Sequence, residues 1–218
     1  MIQAVIFDFD GLIVDTETIW FEAFKEVVAD YGIELSLEVF ATCIGTTDEA
    51  LYAYLKEQLR EKWNEQEIQQ KVHILHEEKM NVPCAREGVQ EYLEEAKQLG
   101  LKIALASSSS REWVIRFLKT LQLEQYFEVI QTREDVEQVK PHPALYEQAV
   151  AALGIKPSEA VAFEDSVNGG KAAVAAGLKC VIVPNPVTEA LVFETHHLRI
   201  CSMKEKTLQE VIEYITVR

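Results

Sequence analysis

Beyond Pro83 the chain alternates so regularly that few folds remain open to it. A helical stretch at 87–99 stops at Gly100, and "KIALAS" (102–107) follows as an apolar run. "FEVIQT" (127–132), "AVAFE" (160–164) and "KCVIV" (179–183) repeat the pattern, with one intervening helix running from Pro143 to Gly154 and another ended by Gly177. Short runs with no polar face read as strands buried on both sides, and strands alternating with helices read as a parallel sheet covered on both faces. "QAVIF" (3–7) supplies one more such strand near the start. Ser109 and Glu112 have the spacing of a capping box for the helix after KIALAS, and the tail from about Lys204 reads as a terminal helix.

Between the first strand and Pro83 the pattern changes. Phe21, Phe24, Val28 and Tyr31 recur at spacings of three and four, the period of a helix with one apolar face, and "TTDE" (46–49) has the form of a capping box. Strand signals are almost absent. The expected architecture is α/β: a Rossmann-like parallel-sheet core of residues 1–15 and 84–218, with an inserted α-helical cap domain of residues 16–83. At 218 residues and 48% hydrophobic content the chain is large enough to bury a core and carry such an insert.

The charge balance narrows the partners. Thirty-six acidic residues against 21 Lys and Arg give a formal charge of −15, a field that repels polyanions and anionic membrane surfaces. No nucleic acid and no membrane partner is expected, and an anionic ligand would need a local cation or a cluster of N–H donors. No apolar run approaches the roughly 20 residues a bilayer requires. "MIQAVIFDFDG" has no basic leader, so no signal peptide is expected. Cys43, Cys84, Cys180 and Cys201 lie far apart without metal spacing, which reads as buried free thiols in a reducing, cytoplasmic setting.

In an open parallel sheet, ligands bind beyond the carboxyl ends of the strands. Four places put polar groups there. Asp8 and Asp10 are two apart and can face one crevice; either they lie in an acidic turn bent at Gly11, or a cation such as Mg²⁺ offsets their repulsion. Ser107, with Ser108 after it, ends KIALA where a hydroxyl and N–H groups could hold a phosphate oxygen; Ser109 reads better as a helix cap. Lys140 in "VKPHP" taken alone reads as a surface lysine, and beside a phosphoryl group as its counter-charge. Glu164 and Asp165 could complete a metal site opened by Asp8, or Asp165 or Ser166 could simply cap the next helix.

The order DxDG, strand-Ser, Lys-Pro, strand-Glu-Asp-Ser resembles the haloacid dehalogenase-like superfamily of phosphotransferases. "DFDGLIVDTE", "ALASSS", "KPHP" and "EDSVNG" look most like its β-phosphoglucomutase-like branch. The resemblance spans essentially the whole chain and implies a helical cap after the first strand. It also implies roles: Asp8 as nucleophile, Asp10 as acid and base, and Mg²⁺ held by Asp8, the Asp10 carbonyl, Glu164 and Asp165. Lys140 with Ser107 and Ser108 would bind the phosphate, and a monomer is the default state for this branch. The family's dehalogenases lack an acid at the Asp10 position, which favours phosphoryl transfer.

The branch's mutases carry a histidine where this chain has Trp20 and a cap arginine where it has Asp48. Residues 16–84 hold six Lys and Arg against fourteen Asp and Glu, a poor grip for a second phosphate. Lys56 and Arg60 read as a solvated face. A phosphatase acting on a small phosphorylated metabolite, a sugar or polyol phosphate, is therefore favoured over a hexose phosphate mutase or a non-catalytic binder. Gly45 and Thr46, beside Ile44, are the expected substrate loop of the cap, with Trp20 and Phe24 as walls or as cap core. His73 and His76, three apart on one helix with no third ligand, read as surface histidines.

Overall fold

The computed structural model describes residues 1–41 and 49–217. Six parallel strands form one sheet: β1 (Ala4–Phe7), β2 (Lys102–Ala106), β3 (Val129–Gln131), β4 (Ala160–Glu164), β5 (Lys179–Ile182) and β6 (Leu198–Arg199), in the spatial order β3-β2-β1-β4-β5-β6. The chain builds outward from β1 on one side, then crosses to β4 on the other. Between β1 and β4 the strand order reverses, the place where α/β sheets open a ligand crevice.

Alternate residues divide the sheet into two unlike faces. Val5, Phe7, Leu105, Val161, Phe163 and Val181 fill one, beneath α5 (Val89–Gln98), α6 (Arg111–Thr120) and α9 (Leu208–Thr216). The other is lined by smaller groups, Ala4, Ala104, Ala106, Ala160 and Ala162, against α7 (Ala144–Leu153) and α8 (Val167–Ala175). Those helices present Ala149, Ala172 and Ala173 inward beside the larger Leu145, Tyr146 and Leu153, which pack with Ile6 and Ile182 of the sheet. The helices α1 (Thr16–Ala29), α2 (Leu37–Ala41), α3 (Glu49–Leu59) and α4 (Glu65–Lys79) bury a separate cluster built on Phe24, Val28, Phe40, Leu55, Ile68 and Val72. Val187, from the loop after β5, packs into it.

Three expectations need correction. Helix α6 is capped by Ser110, whose hydroxyl accepts from the Trp113 N–H, and not by Ser109. The terminal helix starts at Leu208, behind a capping box of Thr207 and Glu210. Of the three described cysteines only Cys180 is buried; Cys84 and Cys201 are exposed. The edge strand β6 is new: two residues are too short for any periodic pattern to register.

Candidate active site

Strand register assembles the site. Phe7 lies beside Leu105 on one flank and Phe163 on the other, so the residues just past these positions leave the sheet together at one edge. The Asp8 N–H still bonds Phe163 O at 3.0 Å, which continues the ladder one residue beyond β1. The chain then turns sharply: Ile13 N–H bonds Phe9 O at 2.9 Å, and Gly11 takes φ +77° with its N–H on Val14 O at 2.7 Å. The turn leaves Asp8 buried and Asp10 half-buried. Asp15 caps α1 directly after it, accepting from Thr18 N.

Asp8, Asp10, Ser107, Ser108, Lys140 and Asp165 line one crevice of about 310 Å³, with Trp20 of α1 also lining it. Glu164 lies fully buried behind them. Lys140 is far from a surface lysine: its side chain is 6% exposed, and its ammonium donates to Asp8 Oδ1 at 2.5 Å and Glu164 Oε1 at 2.7 Å. The Tyr146 hydroxyl donates to the same Glu164 oxygen at 2.6 Å. Ser166 caps α8 by accepting from Gly169 N, which leaves Asp165 free of capping duty. Asn185, buried after β5, fixes Asp165 by donating to its Oδ2 at 2.7 Å.

Among the described residues Lys140 is in contact with two of the three buried carboxylates, and Arg86, spent on backbone carbonyls, acts on Asp165 only from a distance, so positive charge falls short. Oxygens of Asp8, Glu164 and Asp165 all lie within 4.8 Å of one another. Burial pushes Asp8 up to about 7 against the pull of Lys140, with Glu164 and Asp10 adding to the rise. It pushes Asp165 well above the carboxylate range, and the charges of Asp8 and Glu164 add to that. Glycines make room for the cluster: a Cβ at Gly169 would fall 2.0 Å from the Glu164 carboxylate, and one at Gly11 2.2 Å from Asp165 Oδ2. A deficit of positive charge within a set of hard oxygen donors fits a divalent metal ion.

Asp10 is held apart from this cluster. Its Oδ1 accepts from Trp113 Nε1–H at 2.9 Å, and its Oδ2 from the hydroxyls of Ser109 at 2.6 Å and Ser107 at 3.3 Å. Ser109 is thus a site residue where a helix cap was expected. Arg86, which carried no sequence signal, ties the Gly11 turn to the end of β5 by donating to the carbonyls of Gly11, Val183 and Pro184.

On the cap side the expectations divide. Trp20 faces the crevice, whereas Phe24 is 5% exposed within the cluster of α1–α4 and does not line it. Ile44, Gly45, Thr46 and Asp48 lie outside the described residues. His73 is exposed, but His76 is 1% exposed, stacked 3.6 Å from Trp20 and 5.7 Å from Trp113 between centroids. The reason was legible: Ile68, Val72 and His76 succeed one another at spacings of four on the buried stripe of α4.

His76 Nε2 has no hydrogen-bond partner among the described residues. Burial, aided by the charges of His73 and Arg116, holds its pKa down at about 4. The unfolded chain therefore binds a proton that the folded chain refuses, so this histidine costs nothing above pH 7 and destabilises as the pH falls from about 6.5 towards 4. Between pH 7 and pH 5 the loss is about 2 kcal/mol. Urea unfolding across this range is expected to show a shallower pH dependence in His76→Gln; an unchanged slope would assign the acid sensitivity elsewhere.

The family of haloacid dehalogenase-like hydrolases matches this chain over residues 5–183. YhcW of Bacillus subtilis, whose phosphatase assignment is provisional, is 49% identical over 216 residues, covering 99% of this chain and 98% of its own. A Thermotoga maritima protein named phosphorylated carbohydrates phosphatase is 35% identical over 181 residues, covering 81% and 82%. A Thermotoga maritima crystal structure provisionally described as a β-phosphoglucomutase superposes with a TM-score of 0.78 at 30% identity, covering 97% and 99% of the two chains.

Proposed function

The chain belongs to the haloacid dehalogenase-like hydrolases, as a phosphatase of their β-phosphoglucomutase-like branch, and we propose that it hydrolyses sugar or polyol phosphates through a phosphoryl group carried on Asp8. The observation that carries this reading is the crevice itself, where Asp8 and Asp10 open on one space but are held by separate partners. One carboxylate is committed to a lysine and the other to neutral donors, which suits a nucleophile and a proton carrier.

In the first half-reaction an Asp8 oxygen forms a bond to phosphorus, the bond from phosphorus to the sugar oxygen breaks, and Asp10 gives its proton to that oxygen. In the second, water attacks phosphorus as Asp10 takes a proton from it, and the bond to Asp8 breaks. Lys140, with Ser107 and Ser108, meets the phosphoryl oxygens and offsets the charge that gathers there. Asp8, Glu164, Asp165 and the Asp10 carbonyl are the residues that would hold Mg²⁺, which when bound screens the repulsion between phosphate and carboxylates. Asn185 and Arg86 keep Asp165 and the Gly11 turn in place for that purpose.

Residues 16–83 act as a cap that sets the leaving group and excludes water before chemistry. Trp20 offers a flat apolar face, and Ser108, Ser109 and Asn168 offer hydrogen bonds, a lining suited to a sugar or polyol. The carbohydrate substrates named for the Thermotoga maritima relative support this choice. Water is the acceptor because the cap is acidic and lacks the mutase histidine and arginine. A working monomer is part of this proposal. Two exposed thiols suit the reducing cytoplasm, and among the described residues no helix is long and apolar enough to cross a membrane.

The test is phosphate release from a panel of pentose, hexose and hexitol phosphates, with Mg²⁺ and with chelator. Release confined to the Mg²⁺ arm is expected. Conversion of a sugar 1-phosphate to a 6-phosphate without free phosphate would overturn the hydrolase reading.

A further inference from the structure

We infer that Trp113 is a positioning residue for proton transfer: its indole N–H fixes the carboxylate of Asp10 towards the leaving-group oxygen. The inference rests on Asp10 being the proton carrier proposed above.

Trp113 sits in the first turn of α6, where its backbone N–H is held by the Ser110 hydroxyl. Its side chain reaches back across the helix entrance, and Nε1–H donates to Asp10 Oδ1 at 2.9 Å. Ser109 and Ser107 both donate to the other oxygen, Oδ2. Rotation about the bond to Cβ moves both oxygens, so donors on both edges resist it together, and the indole supplies the restraint on the Oδ1 edge. The indole is the only such donor to Oδ1 among the described residues.

The indole is itself held. His76 stacks on it with 21° between planes, and Phe117 meets it edge-on at 4.5 Å. The Arg116 guanidinium lies 5.1 Å from its ring centroid. A ring braced by an imidazole, a phenyl and a guanidinium has few orientations left, so its N–H is a directed donor. An indole has no acceptor atom and cannot take the proton from Asp10. It can only aim it.

Trp113→Phe keeps an aromatic ring for the stack and removes the donor. The readout is kcat/KM, which ends at the first irreversible step, for two leaving groups: a hexitol phosphate, whose alkoxide needs a proton, and p-nitrophenyl phosphate, whose phenolate does not. The expected result is a roughly tenfold loss on the hexitol phosphate with less than about a twofold change on p-nitrophenyl phosphate. His76→Leu, which keeps the donor but removes a brace, is the second variant, and a smaller loss with the same selectivity is expected. Each is compared with wild type at matched thermal midpoint.

Equal losses on both substrates, or none, in a folded Trp113→Phe would overturn the inference. Asp10→Asn is the control that separates the two readings. If it shows the leaving-group dependence and Trp113→Phe does not, the indole has no aiming role. If Asp10→Asn shows none, the proton-carrier reading has failed first.

Discussion

Replacing Asp8 with asparagine is expected to abolish phosphate release, by about 10⁴-fold or more, while leaving the fold as stable as before. Asparagine matches the shape of aspartate, and its amide oxygen can still accept from Lys140. It cannot form the acyl phosphate. Losses of this size accompany removal of a group that makes a covalent bond, because no neighbour in the crevice can take over the step. Stability should hold because Asp8 is one of three buried carboxylates crowded within 4.8 Å, and Lys140 keeps Glu164 as its partner when Asp8 is neutralised. Removing one negative charge relieves repulsion among the rest. The two readouts, phosphate release and thermal midpoint, must therefore move apart. Residual activity near wild type on p-nitrophenyl phosphate would disqualify Asp8 as nucleophile, and a collapse of the thermal midpoint would show that its main duty is structural.

Much of the sheet was legible in the sequence because buried parallel strands write themselves as apolar runs. QAVIF, KIALAS, AVAFE and KCVIV all lie on observed strands, within a residue or two at the ends. The acids at the ends of β1 and β4 were legible for the same reason: a carboxylate closing an apolar run is unusual enough to mark a place. What stayed hidden depends on distance. Ser109 and Ser110 are chemically alike, and only the position of Asp10, about a hundred residues away, decides which one caps α6 and which turns to the site. Arg86 carries no local pattern, since its side chain reaches carbonyls some 75 to 98 residues away. Asn185, whose Oδ1 caps its own turn by accepting from Val187 N and Thr188 N, gives no local sign that its amide reaches Asp165. His76 reads as a surface histidine when weighed only as a metal ligand with no third partner, although its spacing from Ile68 and Val72 places it on a buried stripe.

Lys140→Gln is expected to lower stability by about 3–5 kcal/mol, because breaking a buried ion pair from one side leaves the other side uncompensated. At this chain length that corresponds to a drop of roughly 10 °C in thermal midpoint. The side chain is 6% exposed and serves both Asp8 and Glu164, and Glu164 is fully buried with, among the described residues, only the Tyr146 hydroxyl as a further side-chain donor outside its own loop. Burial tends to lower a lysine's pKa, yet these two carboxylates raise that of Lys140 above its ordinary value, so burial does not neutralise it. Glutamine can donate to one acid at most and brings no charge. Two additions should restore what it loses. Glu164→Gln in the same chain removes one of the stranded charges and should recover part of the stability. Mg²⁺ should raise the thermal midpoint of Lys140→Gln by more than it raises that of wild type, since a cluster short of positive charge binds a cation more tightly once its resident cation is gone. A midpoint unchanged by the single substitution would mean that Lys140 does not balance these acids. A normal drop with no response to Mg²⁺ would mean that Asp8, Glu164 and Asp165 do not form the metal site.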